Sequence, residues 1–199
     1  VGGTGLYISA VIDNYHFTSS APNPSLRRQL LAKATNVGPQ VLHQELSELD
    51  AAAAERIEPT DARRIIRALE VATTGGQLSA CGQSPPLYRV LQIGLVRERK
   101  RLYEAINQRV ETMFKQGLCE EAEWLLEKGL SPDLPACQAL GYKEIWPYLQ
   151  GQASLDEAKE TIKRQTRRFA KRQLTWFRRD KQIIWLDIDH YASEKALIT

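Results

Sequence analysis

The chain has 199 residues, 43% of them apolar, and its 27 Lys and Arg against 24 Asp and Glu give a formal net charge of +3. This balance predicts a folded globular protein of one or two domains and excludes an intrinsically disordered chain. No apolar run approaches the roughly 18 residues of a membrane span, and the three cysteines lack the spacing of a disulfide framework or a structural zinc site, so we expect a cytoplasmic protein without a membrane partner.

A glycine cluster, Val1-Gly2-Gly3-Thr4-Gly5, opens the chain and predicts a tight turn that leads into a helix over residues 6–15. The cluster lacks the Lys of a phosphate-binding P-loop and the third Gly of a dinucleotide fingerprint, so a structural turn is the simpler interpretation. Because the chain has no initiator Met and such loops commonly leave a strand, we expect a strand upstream of Val1 that this sequence lacks.

Helical patterns dominate the next segment. One helix is predicted to begin at Pro24 and a second to cover residues 39–48, with Gly38 between them. A third helix, with its capping residue at position 60 or 61, is predicted through residue 73. Together these helices form a small helical subdomain.

The third of these helices combines an apolar face with three arginines. The residues predicted to be buried are Ile65, Ile66, Leu69 and Ala72. Three arginines lie within one short stretch and make it a candidate phosphate-binding site: Arg63, Arg64 and Arg67. On spacing alone, solvated or ion-paired arginines are the simpler interpretation.

Helices also outnumber strands in the second half of the chain. A strand over residues 90–96 and another over 183–186 cannot make a stable sheet alone, so they would belong to a larger sheet whose other strands are absent or unrecognised. The other elements predicted are a helix over residues 97–116, a shorter one ending at Lys128, and one over 137–149 that is broken near Pro147. The chain is therefore expected to be mainly α-helical.

Positive charge is concentrated near the carboxyl end. Between Lys159 and Lys181, ten basic residues accompany two acidic ones, so this segment carries +8 (10 − 2) and the rest of the chain −5 (3 − 8). Ser154 and Glu157 have the spacing of a capping box, which predicts a helix that starts at Leu155.

Helical spacing gives this segment a basic side and an apolar side. The basic side consists of Arg164, Arg167, Arg168, Lys171, Thr175 and Arg178. The apolar side, expected to face the core, consists of Leu155, Ala158, Ile162, Phe169, Trp176 and Phe177. A nucleic-acid backbone suits such a stripe because each neutralised phosphate releases condensed counterions, but a solvated helix face explains the charge equally well.

Four segments together resemble successive blocks of one enzyme family. They are VGGTGLY at residues 1–7, DARRIIRALEV at 61–71, QALGYKE at 138–144 and TRRFAKRQLTWF at 166–177, and the last of them is the most specific. Their order also matches. The chain is identified by these blocks as a member of the tRNA dimethylallyltransferase family, and the resemblance covers essentially the whole chain.

The resemblance implies transfer of a dimethylallyl group from dimethylallyl diphosphate to N6 of the adenosine 3′ of the tRNA anticodon, giving N6-isopentenyladenosine. It also implies a P-loop-type α/β core, of which residues 1–21 and 88–199 would be a remnant, and an inserted helical domain at 22–87 that grips the anticodon stem-loop. Mg²⁺ is implied as cofactor, with ligands upstream of this sequence, and we expect a monomer.

Site residues are carried over by the same resemblance. Thr4 resembles the family threonine at the reaction site, and Arg109 an arginine beside the diphosphate. Ala105 stands where many members carry Arg, which puts one phosphate contact in doubt. The positions that match tRNA contacts are Arg27, Arg63, Arg64, Arg67, Gln138, Gly141, Tyr142, Lys143, Lys171, Arg172, Gln173, Thr175, Trp176 and Arg178.

Other functions remain open on the sequence. An adenylate isopentenyltransferase would use the same chemistry on a free nucleotide, but it has little use for a basic helix and an inserted domain. A non-catalytic RNA-binding module is the alternative from a different class. A DNA-binding helical regulator is disfavoured because the chain has neither a helix-turn-helix pattern nor dimerising heptads.

Two parts of the family pattern have no match in this sequence: the P-loop and the Asp that acts as general base on the adenine amino group. General acid–base catalysis alone contributes roughly 10²–10⁴ in rate. We therefore expect the chain by itself to be inactive or nearly so.

Overall fold

Helices form most of the chain in the computed structural model, which describes residues 2–132, 134 and 136–191. Contacts divide the chain into two units, one containing Gly2 and Thr4–Val90 and the other containing Gly3 and the residues after Val90. None of the helices in the described ranges is long and apolar enough to cross a membrane.

The first unit is built from five helices and one pair of two-residue strands. The helices are α1 (Gly5–Ile12), α2 (Pro24–Val37), α3 (Pro39–Leu49), α4 (Ala51–Arg56) and α5 (Ala62–Ala72). Strand β1 (Tyr15–His16) pairs antiparallel with β2 (Gly82–Gln83). The prediction that the first helix reaches residue 15 is wrong, because Asn14 adopts a positive φ of 49° and turns the chain into β1.

Helix α4 was not predicted from the sequence. Asp50 creates it by ending α3 and capping the next helix: its Oδ1 accepts a hydrogen bond from the N–H of Ala53 at 3.1 Å. Its Oδ2 accepts another from the N–H of Ser79, 3.0 Å away. A run of four alanines has no hydrophobic periodicity, so only this cap marks the helix.

The core of the first unit lies between α3 and α5. Leu46 and Ile65 are completely buried, and Leu42 and Ala68 nearly so. The predicted burial of Ile65, Ile66 and Leu69 is confirmed, while Ala72 is only half-buried.

A charged residue, Glu70, lies within this core with no exposed surface. Arg27 of α2 donates to it twice, from Nε at 2.9 Å and from Nη2 at 2.8 Å. Arg67 of α5 forms a second ion pair with it, and the N–H of Asn23 donates at 2.5 Å. Burial alone would raise the pKa of Glu70, but these hydrogen bonds outweigh burial and lower the pKa from 4.5 to about 2. The carboxylate therefore joins the start of α2 to α5.

In the second unit, four helices accompany a pair of parallel strands. The strands are β3 (Ile93–Val96) and β4 (Ile184–Asp187), with Ile93 opposite Ile184. The helices are α6 (Arg99–Lys115), α7 (Leu118–Glu127), α8 (Tyr142–Leu149) and α9 (Leu155–Phe177). The core contains Val110, Ala122, Ile145, Trp146 and Ile162.

Two elements in this unit begin three or more residues later than predicted. Strand β3 begins at Ile93 and not at residue 90, because its partner strand begins only at Ile184. Helix α8 begins at Tyr142 and not at residue 137, because Gly141 has a φ of 111°, which no helical residue adopts. The start of α9 at Leu155 is confirmed, and both halves of the predicted capping box are formed.

The predicted core face of α9 is correct only in the first half of the helix. Ala158 and Ile162 are buried where α9 packs against α6 and α8. Phe169 and Trp176 are 39% and 40% exposed, so their assignment to the core is wrong. Helical period predicts which residues share a face, but not how far a neighbouring helix covers that face.

Replacement of Glu70 by Gln should lower the free energy of unfolding by about 3 kcal/mol near neutral pH, because a neutral amide cannot balance two guanidinium groups. Since folding lowers the pKa of Glu70 from 4.5 to about 2, its contribution is complete above pH 4.5 and is lost as the pH falls towards 2. Urea unfolding over a pH series measures both effects.

Glu45→Gln is the matched control, since Glu45 pairs with Lys33 at 2.6 Å on the surface of the same unit. Its cost should stay below about 1 kcal/mol. A Glu70→Gln cost equal to that of the control, or constant with pH, would contradict the buried-carboxylate interpretation.

Candidate nucleic-acid interface

Helix α9 changes character halfway along its length. In the first half, Lys163 donates to Glu111 of α6 and to Glu160, both at 2.7 Å, and Lys159 lies 3.7 Å from Glu111. The hydrogen bonds to Glu111 and Glu160 raise the pKa of Lys163. The positive charges of Lys159 and Lys163 are therefore neutralised within the protein.

From Arg164 onwards, α9 and the turn after it carry cations without ion pairs. Within the described part of the chain, none of the following exposed residues forms a salt bridge: Arg164, Arg168, Lys171, Arg172, Arg178 and Arg179. We call these six residues the basic surface. Uncompensated cations at this density attract a polyanion such as the phosphate backbone of RNA.

Arg167 does not belong to the basic surface, although the sequence placed it there. Its Nη1 donates to Asn107 of α6 at 2.6 Å, and its guanidinium lies 5.9 Å from the centre of the Tyr103 ring. The side chain is half-buried and holds α9 against α6.

A groove of about 550 Å³ lies between α8 and α9 and extends along α9 from Glu157 to Arg172. Gln138 and Lys143 line one side, and Phe169 and Arg172 line the other. Two sequence blocks that are about thirty residues apart thus contribute to one surface feature, and three of the residues predicted to contact tRNA lie along it.

Within the block at 138–144, structural and accessible residues alternate. The buried N–H of Gly141 donates to Glu144 Oε2 at 2.9 Å and starts α8. The hydroxyl of Tyr142 donates to Glu121 at 2.7 Å, and this hydrogen bond, followed by burial, raises the pKa of Tyr142. Gln138 donates from Nε2 to the carbonyl of Pro132 at 2.7 Å. Lys143 is exposed and has no ion pair in the described ranges.

Two residues of the most specific block are engaged with the backbone. Gln173 donates from Nε2 to the carbonyl of Gly3 at 2.8 Å, and a Cβ atom at Gly3 would overlap that amide. Thr175 donates to the carbonyl of Lys171, one turn earlier, at 2.9 Å. Trp176, by contrast, leaves part of its ring accessible.

The predicted catalytic residues belong to different units. Thr4 is the N-cap residue of α1, yet its exposed hydroxyl makes no capping hydrogen bond. Arg109 is exposed on α6 and forms no ion pair with the residues that the structure describes. Both side chains are therefore available to a ligand.

The four arginines predicted to contact tRNA from the first unit are not equivalent. Arg27 and Arg67 are held by Glu70, and Arg64 lies 3.4 Å from Asp61. Arg63 is exposed and has no ion pair in the part of the chain that the structure describes. The sequence could not distinguish these roles, because Glu70 lies 43 residues from Arg27.

Sequence reasoning missed two residues of the groove. Phe169 was assigned to the core, and Gln165 was not singled out, although both line the groove. Their spacing of four residues, which places side chains above one another on a helix, was the available signal.

Comparison with known proteins identifies the family. A family model described as IPP transferase matches residues 1–180. The tRNA dimethylallyltransferase of Desulforamulus reducens is 48% identical over 204 residues, which cover 99% of this chain and 71% of that protein. That of Carboxydothermus hydrogenoformans is 50% identical over 98% of this chain and 64% of its own length. The chain thus spans about two thirds of the length of the curated relatives it matches.

Solved structures of tRNA prenyltransferases also match the chain. The tRNA isopentenylpyrophosphate transferase of Bacillus halodurans has a TM-score of 0.63 and 41% identity, covering 100% of this chain and 62% of that one. A eukaryotic dimethylallyltransferase acting on tRNA has a TM-score of 0.67 and 26% identity, covering 99% of this chain and 54% of its own. The family that the four sequence blocks indicate is therefore confirmed.

Replacement of Gly141 by Ala should lower the free energy of unfolding by about 1–3 kcal/mol, because a φ of 111° with a ψ of −61° strains any residue with a Cβ atom. Gly151→Ala is the control: its φ of 70° lies in the left-handed region, and no atom lies within 4 Å of the added Cβ. This control should cost on the order of 1 kcal/mol. Urea unfolding of both variants decides the point, and equal costs would refute the strain at Gly141.

Proposed function

Because the chain belongs to the IPP transferase family, we propose that it takes part in the transfer of a dimethylallyl group from dimethylallyl diphosphate to N6 of the adenosine 3′ of a tRNA anticodon. The observation that carries this proposal is the basic surface of α9, whose cations lack ion pairs among the described residues. Lys159 and Lys163, by contrast, are neutralised by ion pairs with Glu111 and Glu160. A surface of this kind suits the phosphates of an anticodon stem-loop.

In this proposal the residues of α8 and α9 bind and orient the RNA. Lys171, Arg172 and Arg178 contact phosphates, and Lys143 approaches the loop from the other side of the groove. Gly141, Tyr142 and Gln173 act indirectly, since their hydrogen bonds fix α8 and the carboxyl half of α9. Phosphate contacts position the RNA without determining its sequence.

Thr4 and Arg109 serve the transfer step. The hydroxyl of Thr4, not used in capping, donates a hydrogen bond to the charge that develops in the transition state. The planar guanidinium of Arg109 binds oxygens of the diphosphate leaving group. Both roles require exposed side chains, and both side chains are exposed.

Residues 22–87 form the inserted helical domain of this proposal, and residues 1–21 and 88–199 belong to the α/β core of a monomer. In the inserted domain Arg63 is the arginine best placed to contact a phosphate, because it is exposed and forms no ion pair with any described residue. Arg27 remains 44% exposed and its Nη1 makes no hydrogen bond to any described residue, so it can hold Glu70 and a phosphate together.

The magnesium ion that the resemblance implies does not fit the residues described. Among them, no group of three or more His, Cys, Asp or Glu side chains could hold a metal ion. We therefore derive no step from the metal.

Binding of the chain to an unmodified anticodon stem-loop tests the proposed function. The loop carries adenosines at the last anticodon position and its 3′ neighbour, and a second loop carries other bases at both positions. We expect tight binding that weakens with salt and falls when the adenosines are replaced. Weak binding that is equal for both loops, or preference for adenosine monophosphate alone, would refute it.

The basic surface makes a separate prediction about salt. Lys171→Gln and Arg178→Gln should each reduce the slope of log affinity against log salt by about 1, because each removes one phosphate contact. Lys163→Gln is the matched control on the same helix, since a lysine already paired with Glu111 and Glu160 releases no counterion. An equal change of slope for all three variants would show that general charge, and not this surface, binds the RNA.

A further inference from the structure

The groove between α8 and α9 contains an aromatic ring that the protein core does not use. Phe169 is 39% exposed and lines the groove, although it lies on a helix whose first half buries its apolar side chains. The guanidinium of Arg172 lies 5.8 Å from the centre of the Phe169 ring. An aromatic ring flanked by a cation is an arrangement that binds a flat, electron-rich group by stacking.

A polar side chain next to Phe169 also has no hydrogen-bond partner among the described residues. Gln165, one helical turn before Phe169, is half-buried in the groove and makes no hydrogen bond to any residue that the structure describes. Its amide can both donate and accept, which is the pattern needed to bind the edge of a base.

The charges of the groove favour an uncharged group inside it and phosphates beside it. Two carboxylates line the groove, but both are used as helix caps: Glu144 accepts from the N–H of Gly141, and Glu157 from the N–H of Ser154 at 2.7 Å. Lys143 and Arg172 line the same groove without ion pairs to described residues. Two cations and two carboxylates therefore balance each other in the lining, so an uncharged base suits the groove itself, and the phosphates beside that base suit the exposed cations of the basic surface.

We propose that this groove binds one unpaired base of the RNA, which stacks on Phe169 beside Arg172 and offers its edge to Gln165. This inference rests on the proposed function and deepens it by naming a base-binding subsite. The groove volume of about 550 Å³ lies within the range of roughly 300–1,000 Å³ found for small-ligand sites. Unpaired bases that can leave their stack are the usual targets of sequence-specific RNA recognition.

The base in the groove is not the adenine that receives the dimethylallyl group. Neither Thr4 nor Arg109 lines the groove, and the two glutamates that do, Glu144 and Glu157, already accept hydrogen bonds from capping N–H groups. The subsite therefore acts on specificity and orientation, and Phe169 is a binding residue, not a catalytic one.

The test combines Phe169→Leu with removal of single bases from the anticodon loop. Leucine keeps the apolar side chain but removes the ring. For the unaltered chain, removal of the base at one loop position should weaken binding about 5- to 150-fold, the range expected for one base–aromatic stack. Phe169→Leu should cause a similar loss with the intact loop, and removal of that same base should then cost nothing further.

Trp124→Leu provides the matched control. Trp124 is 52% exposed on α7, outside the groove, and also has a cation, Lys128, 5.7 Å from its ring. Its replacement should leave loop binding unchanged, and Phe169→Tyr, which keeps a ring, should retain most of the affinity. Gln165→Ala should reduce the difference between bases at the position identified by the scan.

Two results would overturn the subsite: affinity of Phe169→Leu equal to that of the unaltered chain, or losses that add to those of base removal at every loop position. Failure of the proposed function gives a different result, since the unaltered chain would then not distinguish an anticodon stem-loop from a duplex of the same length. Urea unfolding of Phe169→Leu separates loss of the ring from loss of the fold.

Discussion

The anchoring of the first half of α9 is the constraint on which the second unit depends. Ile162 is buried in the core, and Glu111 pairs with Lys159 and Lys163, so the first three turns of the helix are held by both apolar and ionic contacts with α6. Lys163 lowers the pKa of Glu111, which keeps the pair charged. Beyond Arg167, Gln173 donates a hydrogen bond to the carbonyl of Gly3, while Phe169, Trp176 and the cations of the basic surface are exposed. One continuous helix therefore connects this anchored half to the exposed cations of the basic surface.

The first unit uses arginines in the opposite way. There, two guanidinium groups surround the buried carboxylate of Glu70, and the network fixes the entry of α2 against α5. Removing a charge from water is costly, so a carboxylate is tolerated in a core only when its hydrogen bonds are satisfied, as they are here. Arginine content thus says little about RNA binding by itself. What separates a structural arginine from an accessible one is whether a carboxylate lies within reach.

Local signals in the sequence predicted most helices, and long-range contacts explain the errors. The capping box at Ser154 and Glu157 fixed the start of α9, and Gly38 marked the division between α2 and α3, because both act over three or four residues. The prediction that Phe169 lies in the core was wrong, because periodicity does not reveal how much of α9 is covered by the neighbouring helix α8. The Arg27–Glu70 pair could not be predicted, since nothing local links residues 43 positions apart. Four short blocks nevertheless identified the family, because side chains that meet a ligand are constrained by chemistry and not by packing alone.

In the proposed RNA complex, the basic surface supplies affinity and the groove between α8 and α9 supplies specificity. Cations on the basic surface attract any nucleic-acid backbone, and their contribution falls with salt whatever the sequence. Discrimination between RNAs must then come from uncharged contacts with bases, and these require a ring and an amide that the fold has left free. Phe169 and Gln165 meet that requirement on the same helix, one turn apart, next to a cation that orients the backbone. In the proposed complex, a base that failed to enter the groove would leave the phosphate contacts intact but misplace the loop, so entry of the base would give the bound RNA a defined register.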